Sequence, residues 1–552
     1  MTTSTVQLVI SVAVLAAVAG TCFTAHAQAE ARRNASLSKP APSLSAKWIW
    51  KRQQDYNRYN DTIIARKTFS LPDIRNARMI ITADTRYRLF INGEWVNDGP
   101  CRSWPAHYQY DEFDVTPYLR TGENELRVIA KFFGVGTFHQ IPQQAGLLVQ
   151  LDERPVESEP VTIISDGSWE AADAGGWFSR APKQCVQMGP FEIYDARRAS
   201  PVQFEPAAVL YEAYDGPWQN LNPRDCPLLT REPFALRNFV GASIVRGDWM
   251  TFCFPTAQLL YPGVVKSNNQ ISMASAVATV IECPDEMTLH IDAPGQTVTI
   301  NGKRGKRGAF QLNPGDNFMF AAVTSYFGHW QQDTEIRFIE PKGFELHNPL
   351  DGNTTDPWCF VPFEDTKFVS SDVEFALMDG QKKTEVRRKI EGSTRKYLKT
   401  IVDVASFKRE LEGQAQTLSS AGDVTDDIHW QFEAREVVGD ASDLIENPAG
   451  LLYDNAEMTV VQPSTEGDIE LAYDFGEQNC GYYQFDLIAE EGLQMDIFGV
   501  EYITPAGRVQ HTGAYRNGMR YICKEGVNRF TSFVRRSGRY LFVTLRNQTK
   551  PV

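Results

Sequence analysis

The sequence predicts a mainly β protein with little helix, arranged as tandem β-sandwiches. Three observations lead there. Short stretches alternate apolar and polar residues at the period of two that a half-buried strand requires. Asn-Gly pairs and Gly-acid-Asn turns separate those stretches, as they do in hairpins. The length of 552 residues also exceeds what one core fills and suggests roughly three to four domains.

Taken in order, residues 6–23 (VQLVISVAVLAAVAGTCF) are apolar or small almost throughout. Ala25 and Ala27 then form an A-x-A cleavage site before Gln28, with Ala27-x-Ala29 the alternative. Residues 1–27 read as a signal peptide, and a periplasmic or secreted location is expected. The leading MTTST carries no Lys or Arg, so a retained membrane anchor is the rival reading. Residues 28–45 are a polar linker.

The first sandwich is expected over 46–200. ADTRYRLFINGEWV (83–96) places Tyr87, Leu89 and Ile91 on one face of a strand and Arg86 and Arg88 on the other. Asn92-Gly93 turns the chain, and Trp95 starts the return. After the Gly122-Glu123-Asn124 turn, Leu126, Val128, Ala130 and Phe132 alternate with Arg127 and Lys131. A proline-marked linker occupies 201–235. A second sandwich region, 236–465, carries a diverged repeat. TVTINGKRG (297–305) parallels RLFINGEWV (88–96), and LNPGDNFMFAAV (312–323) parallels LRTGENELRVIA (119–130). Its charged stretch 371–415 reads as an irregular or partly helical insert. A partial third sandwich is expected over 466–552, where Tyr483, Phe485 and Leu487 alternate.

Composition excludes several functions. A net charge of −14 repels phosphates, so no nucleic-acid partner is expected. The cluster Lys303-Arg304-Gly305-Lys306-Arg307 reads as a solvated hairpin tip. Of nine cysteines, Cys22 lies in the signal segment and no C-x-x-C pair exists. The histidines show no H-x-H or H-E-x-x-H spacing. No metal and no cofactor is expected. The remaining cysteines read as buried small hydrophobes, although some pairing in an exported protein stays open. Beyond the signal segment no span is long and apolar enough to cross a bilayer, so no membrane association is expected after cleavage.

The phrases of 83–132 resemble the galactose-binding-like jelly roll near the N-terminus of bacterial α-L-rhamnosidases and of β-galactosidase-type glycosidases. EIYDAR (192–197) is similar to the phrase that closes the N-terminal domain of rhamnosidases. DFGEQN (474–479), Gly481-Tyr482, Glu501-Tyr502 and SGRYLFV (537–543) resemble the sandwich that precedes their catalytic domain. The resemblance implies an inverting hydrolysis of terminal α-L-rhamnose in a six-hairpin α/α toroid. Inversion places two carboxyl groups ~6.5–9.5 Å apart, one acting as acid and one activating water. The acid-bearing D-C-P-x-R-x-E-R-x-G-W-type segment of that toroid has no counterpart in this sequence, so catalytic residues stay unknown.

Sugar binding is the chemistry left. Sugars stack their C–H faces on aromatic rings and fix their hydroxyls through convergent polar groups. RSWPAHYQY (102–110) offers both kinds, and the candidate contacts are Arg102, Trp104, His107, Tyr108 and Tyr110, with His139 nearby. Trp104 and Tyr108 as caps of the core is the alternative. Asp84, Asn92 and Gly93 read as turn and scaffold residues. The expected function is that of a secreted rhamnosidase-like glycoside hydrolase lacking its toroid. Its partners would be rhamnose-containing or other glycans and a separately encoded catalytic domain. A non-catalytic carbohydrate-binding or scaffolding protein is the alternative.

Overall fold

The computed structural model describes residues 43–552 apart from 54–57, 138–139, 155–156, 186, 201, 263–270, 326–332, 364–365, 370–376, 454, 505–508 and 511–515. Residues 1–27, expected above to be a signal peptide, and most of the expected linker at 28–45 lie outside the described residues. The fold is mainly β and consists of paired sheets. In the first sandwich one sheet centres on Lys47–Trp50, Leu147–Arg154, Asn76–Ala83 and Gln109–Asp114. The other centres on Asp61–Leu71, Gly122–Phe132, Arg86–Ile91 and Glu94–Gly99. Tyr87, Leu89 and Ile91 point into the core against Leu126, Val128 and Ala130, as the alternation requires.

The middle sandwich packs the four-stranded sheet of Trp249–Phe254, Thr334–Ile339, Met287–Asp292 and Ala309–Leu312 on a larger sheet. That sheet is built on Ile271–Cys283 and Gly315–Ser325. Ile271–Cys283 sends Met273, Val277 and Ile281 inward. Its other face carries Ala274, Ala276 and Ala278, small enough for helices to lie close. Those helices are Gly380–Thr400, capped by Asp379, and Val404–Leu411, with an Asp403/Ser406 capping box. The charged stretch read as partly helical is therefore the outer layer of this sandwich. Ile390, Phe407 and Leu411 bury against the sheet.

The third sandwich is assembled from distant parts of the chain. Its main sheet runs Glu192–Asp195, Gly518–Ile522, Gln494–Val500, Arg536–Arg546, Asp468–Gly481, Asn238–Arg246 and Glu436–Asp440. Asn238–Arg246 pairs directly with both Asp468–Gly481 and Glu436–Asp440. The middle sandwich is thus an insertion between two neighbouring strands of the third. Glu192–Asp195, the end of the EIYDAR phrase, pairs in parallel with Gly518–Ile522. The first segment of the chain is in this way sewn into the last.

The repeated turns are alike at the level of single bonds. Asn124 Nδ2 donates to the carbonyls of Arg120 and Gly122 while its Oδ1 accepts from Arg120 N. Asn317 does the same with Asn313 and Gly315. Asn92 Nδ2 and Asn301 Nδ2 each donate to that asparagine, at 2.9 and 3.0 Å. A third copy, which the sequence reading missed, is Asn528, bonded to Lys524 and Gly526. Here Tyr521 Oη, 3.1 Å from Asn528 Oδ1, replaces the hairpin asparagine.

Two buried arginines close the first sandwich onto the third. Arg88 is ion-paired to Asp98 at 2.9 Å and donates to the carbonyls of Thr531 and Ser532. Its guanidinium stacks over Trp95 and Tyr482. Arg536 pairs with Glu192 at 3.0 Å, and neither side chain reaches solvent. Breaking a buried pair leaves one charge uncompensated, whereas exposed pairs contribute little. Glu192→Ala is therefore expected to cost about 3–5 kcal/mol in urea unfolding. Glu170→Ala, which removes the exposed pair with Arg66, should cost under about 1 kcal/mol. Equal losses in the two variants would refute the assignment.

Candidate functional site

The segment between Glu94–Gly99 and Gln109–Asp114 folds as a small hairpin tip. His107 N donates to Trp104 O at 2.9 Å, with Pro105 and Ala106 at the turn. The linker after the first sandwich braces it from behind. Gln219 N donates to Pro105 O, Asn220 Nδ2 to Ala106 O, and Tyr108 N to Gln219 O. Ser103 Oγ accepts from Gln109 N, closing the base. The tip is thus a built loop carrying a tryptophan ring that is 64% exposed.

The six residues read as sugar contacts divide. Arg102, Trp104 and His107 are exposed at the tip. Tyr108 and Tyr110, each 2% exposed, turn inward and have no face to offer a ligand. Both join an aromatic layer with Trp48 and Trp218, whose rings stack 3.7 Å apart. The physical reason is period two: Tyr108 and Tyr110 share the sheet face of Ile80 and Leu148, opposite the sandwich core, and Ala213, Trp218 and Leu221 cover that face. His139 lies outside the described residues.

Asp84, read as scaffold, is the hub beneath this layer. Its buried carboxylate accepts from Trp218 Nε1 at 2.9 Å, Gln143 N at 2.8 Å and Thr85 Oγ1 at 3.0 Å. Tyr108 Oη and Gln140 Nε2 both donate to its main-chain carbonyl. Burial pushes its pKa up to about 6, against those hydrogen bonds, which pull it down. Trp218 itself carried no signal in a segment read as linker.

Beside the tip lies a cleft between the first and third sandwiches, lined by Arg86, Arg102, Phe133, Gln140, Gln184 and Val534 among others. Arg86 opens the strand Arg86–Ile91 on the same outward face as Arg88. Its guanidinium lies 5.9 Å from the Phe133 ring. Gly189 is required here, since a Cβ on it would sit 2.3 Å from Phe133 Cε2. Burial, then the charge of Arg535, lower the pKa of both Arg86 and Arg102. Sequence reasoning found Arg102 but not Arg86, Arg535 or Gln184, which converge only through tertiary packing. Two further groups bring three potential metal donors within 4.8 Å of one another, Cys101 with Asp225 and Cys226, and Glu282 with Glu345 and His347.

Residues 72–207 match the α-L-rhamnosidase N-terminal domain. The first sandwich is similar to that domain. An α-L-rhamnosidase of Formosa agariphila is 29% identical over 150 residues, which cover 25% of this chain and 15% of that protein. The structure of a GH78 family rhamnosidase of Bacillus sp. GL1 superposes with a TM-score of 0.74 at 25% identity. That match takes in 93% of this chain and 54% of the other. The chain therefore spans about half the length of the solved rhamnosidase and resembles its sandwich portion beyond the N-terminal domain as well.

The Asp84 hub gives a pH test. Its folded pKa of about 6 lies above the unfolded carboxyl value of about 3.9. The folded state then holds the proton more tightly, and this group's contribution to stability falls as pH rises from about 4 to 6. Asp84→Asn removes the titration. The variant should gain stability relative to wild type between pH 4 and 7, by up to about 3 kcal/mol, read by urea unfolding at both pH values. A difference between the two proteins that does not vary with pH would refute it.

Proposed function

We propose that this chain is the carbohydrate-recognition portion of an exported, rhamnosidase-type glycoside hydrolase, and that the tip at Trp104 engages a rhamnose-containing glycan. The observation that carries this reading is Trp104 itself, an exposed ring held on a loop fixed by the linker behind it. A rigid aromatic platform binds a sugar's apolar face with little ordering cost. Arg102 and His107 beside it, with Gln140 in the cleft, supply polar groups for hydroxyls. The likeness to rhamnosidases supports the choice of sugar.

Bond cleavage is assigned elsewhere than to the described residues. A glycosidase needs two carboxyl groups facing the sugar, one of them able to carry a proton near neutral pH. The buried carboxylates described are committed inside the structure. Glu192 is held by Arg536, Asp496 by Arg520 and Arg546, Asp333 and Glu335 by Arg516, and Asp84 by Trp218. In this reading a toroid domain supplies the hydrolysis, and the sandwiches hold and orient the glycan.

Trp104→Ala should weaken binding of a rhamnose-terminated oligosaccharide by about fivefold in calorimetry, since one stacked ring is worth about 1 kcal/mol. Thermal stability should stay within a degree or two, because the ring buries little. A large fall in stability with unchanged affinity would show the ring to be structural and would remove the site. The same purified chain should leave aryl α-L-rhamnosides uncleaved. Export belongs to the proposal as well. Mass spectrometry of the native protein should find an amino terminus near Gln28, and an intact Met1 would overturn that part.

A further inference from the structure

We propose that the cleft beside Trp104 is a subsite for an anionic group carried on the glycan, a carboxylate or a sulfate ester, held by Arg86, Arg102 and Arg535. The proposal rests on the glycan reading above and adds the chemical class of the ligand. Its basis is how differently Arg86 is treated from the buried arginines elsewhere, and that Arg102 and Arg535 add their charge beside it. In a chain with a net charge of −14, buried arginines elsewhere each meet a carboxylate. Arg516 meets Glu335 and Asp333, Arg520 meets Asp496 and Asp426, Arg337 meets Asp427, and Arg536 meets Glu192. Arg86, Arg102 and Arg535 have no ion pair among the described residues, and the charges of Arg102 and Arg535 act on Arg86.

Arg86 shows the deficit most directly. Its Nε is sealed from solvent and has no hydrogen-bond partner. A buried donor left unmade costs about 1–3 kcal/mol, and more when charged. The carboxylate whose charge acts on it is Asp98, which is ion-paired to Arg88 at 2.9 Å and makes no ion pair with Arg86. The Phe133 ring at 5.9 Å lies at the limit of a cation–π contact and supplies no acceptor. Two arginines lining the cleft, one with an unsatisfied donor, and the charge of Arg535 acting on both make a site complementary to an anion. A guanidinium fork binds carboxylate or sulfate oxygens in pairs. Arg102 stands two residues from Trp104, so a sugar on the ring would present a neighbouring acidic residue to the cleft.

The test titrates the full chain calorimetrically with a rhamnosyl-glucuronate disaccharide, with its neutral methyl ester and with a sulfated rhamnoside. The free acid is expected to bind about tenfold tighter than the ester, as a charge-assisted pair allows, and added salt should shrink the difference. Arg102→Gln and Arg535→Gln, both at solvent-reached positions, should erase that gain while leaving the affinity for the ester in place. A gain seen only with the sulfated rhamnoside identifies the ester as the source. If acid, ester and sulfated sugar bind equally, the subsite is overturned and the glycan reading stands. If none of them binds, the glycan reading falls and inorganic sulfate decides the subsite alone. A sulfate-induced rise in Tm that is lost in Arg535→Gln retains it, and no rise overturns it.

Discussion

The architecture depends on one buried carboxylate. Glu192 sits where the first sandwich hands its chain to the third, and its strand adds in parallel to Gly518–Ile522. Burial alone would push its pKa up. Arg536, Lys131, the amides of Phe533 and Val534, and Trp177 Nε1 together hold it below the usual carboxylate value. The charge is stable only while all these donors converge, and they come from two sandwiches. That makes the pair a register pin as well as a bond. A slip of Glu192–Asp195 along its neighbour would strand a buried anion, so one alignment of the two bodies is strongly preferred. Arg88 completes the clamp on the same segment, 531–534, its guanidinium held among Asp98, Trp95, Tyr482 and the carbonyls of Thr531 and Ser532.

Local rules made much of this fold legible and left its connectivity hidden. Period-two alternation placed Tyr87, Leu89 and Ile91 in a core, and Asn92-Gly93 and Asn301-Gly302 marked real hairpin turns with φ > 0 at each residue. Such signals span fewer than ten residues, and a turn's chemistry is complete within them. The nesting of the middle sandwich is of another kind. It depends on Asn238–Arg246 pairing with strands that begin some two hundred positions later, and nothing in NFVGASIVR encodes that distance. Arg88 shows the same limit. Its alternation assigns it to the outward face, but only the arrival of the third sandwich makes that face interior.

The candidate site was half legible for the same reason. A loop dense in Trp, Tyr, His and Arg points to a ligand surface, but which rings face out depends on strand phase. Entering Gln109–Asp114, the chain turns Tyr108 and Tyr110 to the sheet face away from the sandwich core, where they bury with Trp48 and Trp218. Trp104, at the far end of the tip, has no such neighbours and stays in solvent. The inward pair still serves the outward ring. Tyr108 Oη is tied to the main chain of Asp84, and Asp84 is tied to Trp218. Trp218 precedes the segment whose Gln219 and Asn220 brace the tip. A buried polar hub thus fixes the base of an exposed platform, and the cost of burying its carboxylate goes with holding the platform still.

Electrostatics then separates mortar from site. Throughout the three sandwiches arginine and carboxylate pairs fill the junctions. Arg516 joins the third sandwich to Asp333 and Glu335 of the middle one and to the carbonyl of Lys183 from the first. Each such group is satisfied by residues the fold itself supplies, so none has capacity for a ligand. The cleft at Arg86 is built at the same kind of junction, from the same residue type, yet the opposing carboxylate is missing. Arg86 and Arg102 line the cleft while the charge of Arg535 acts on both, so in the proposed reading the counter-charge comes from the ligand.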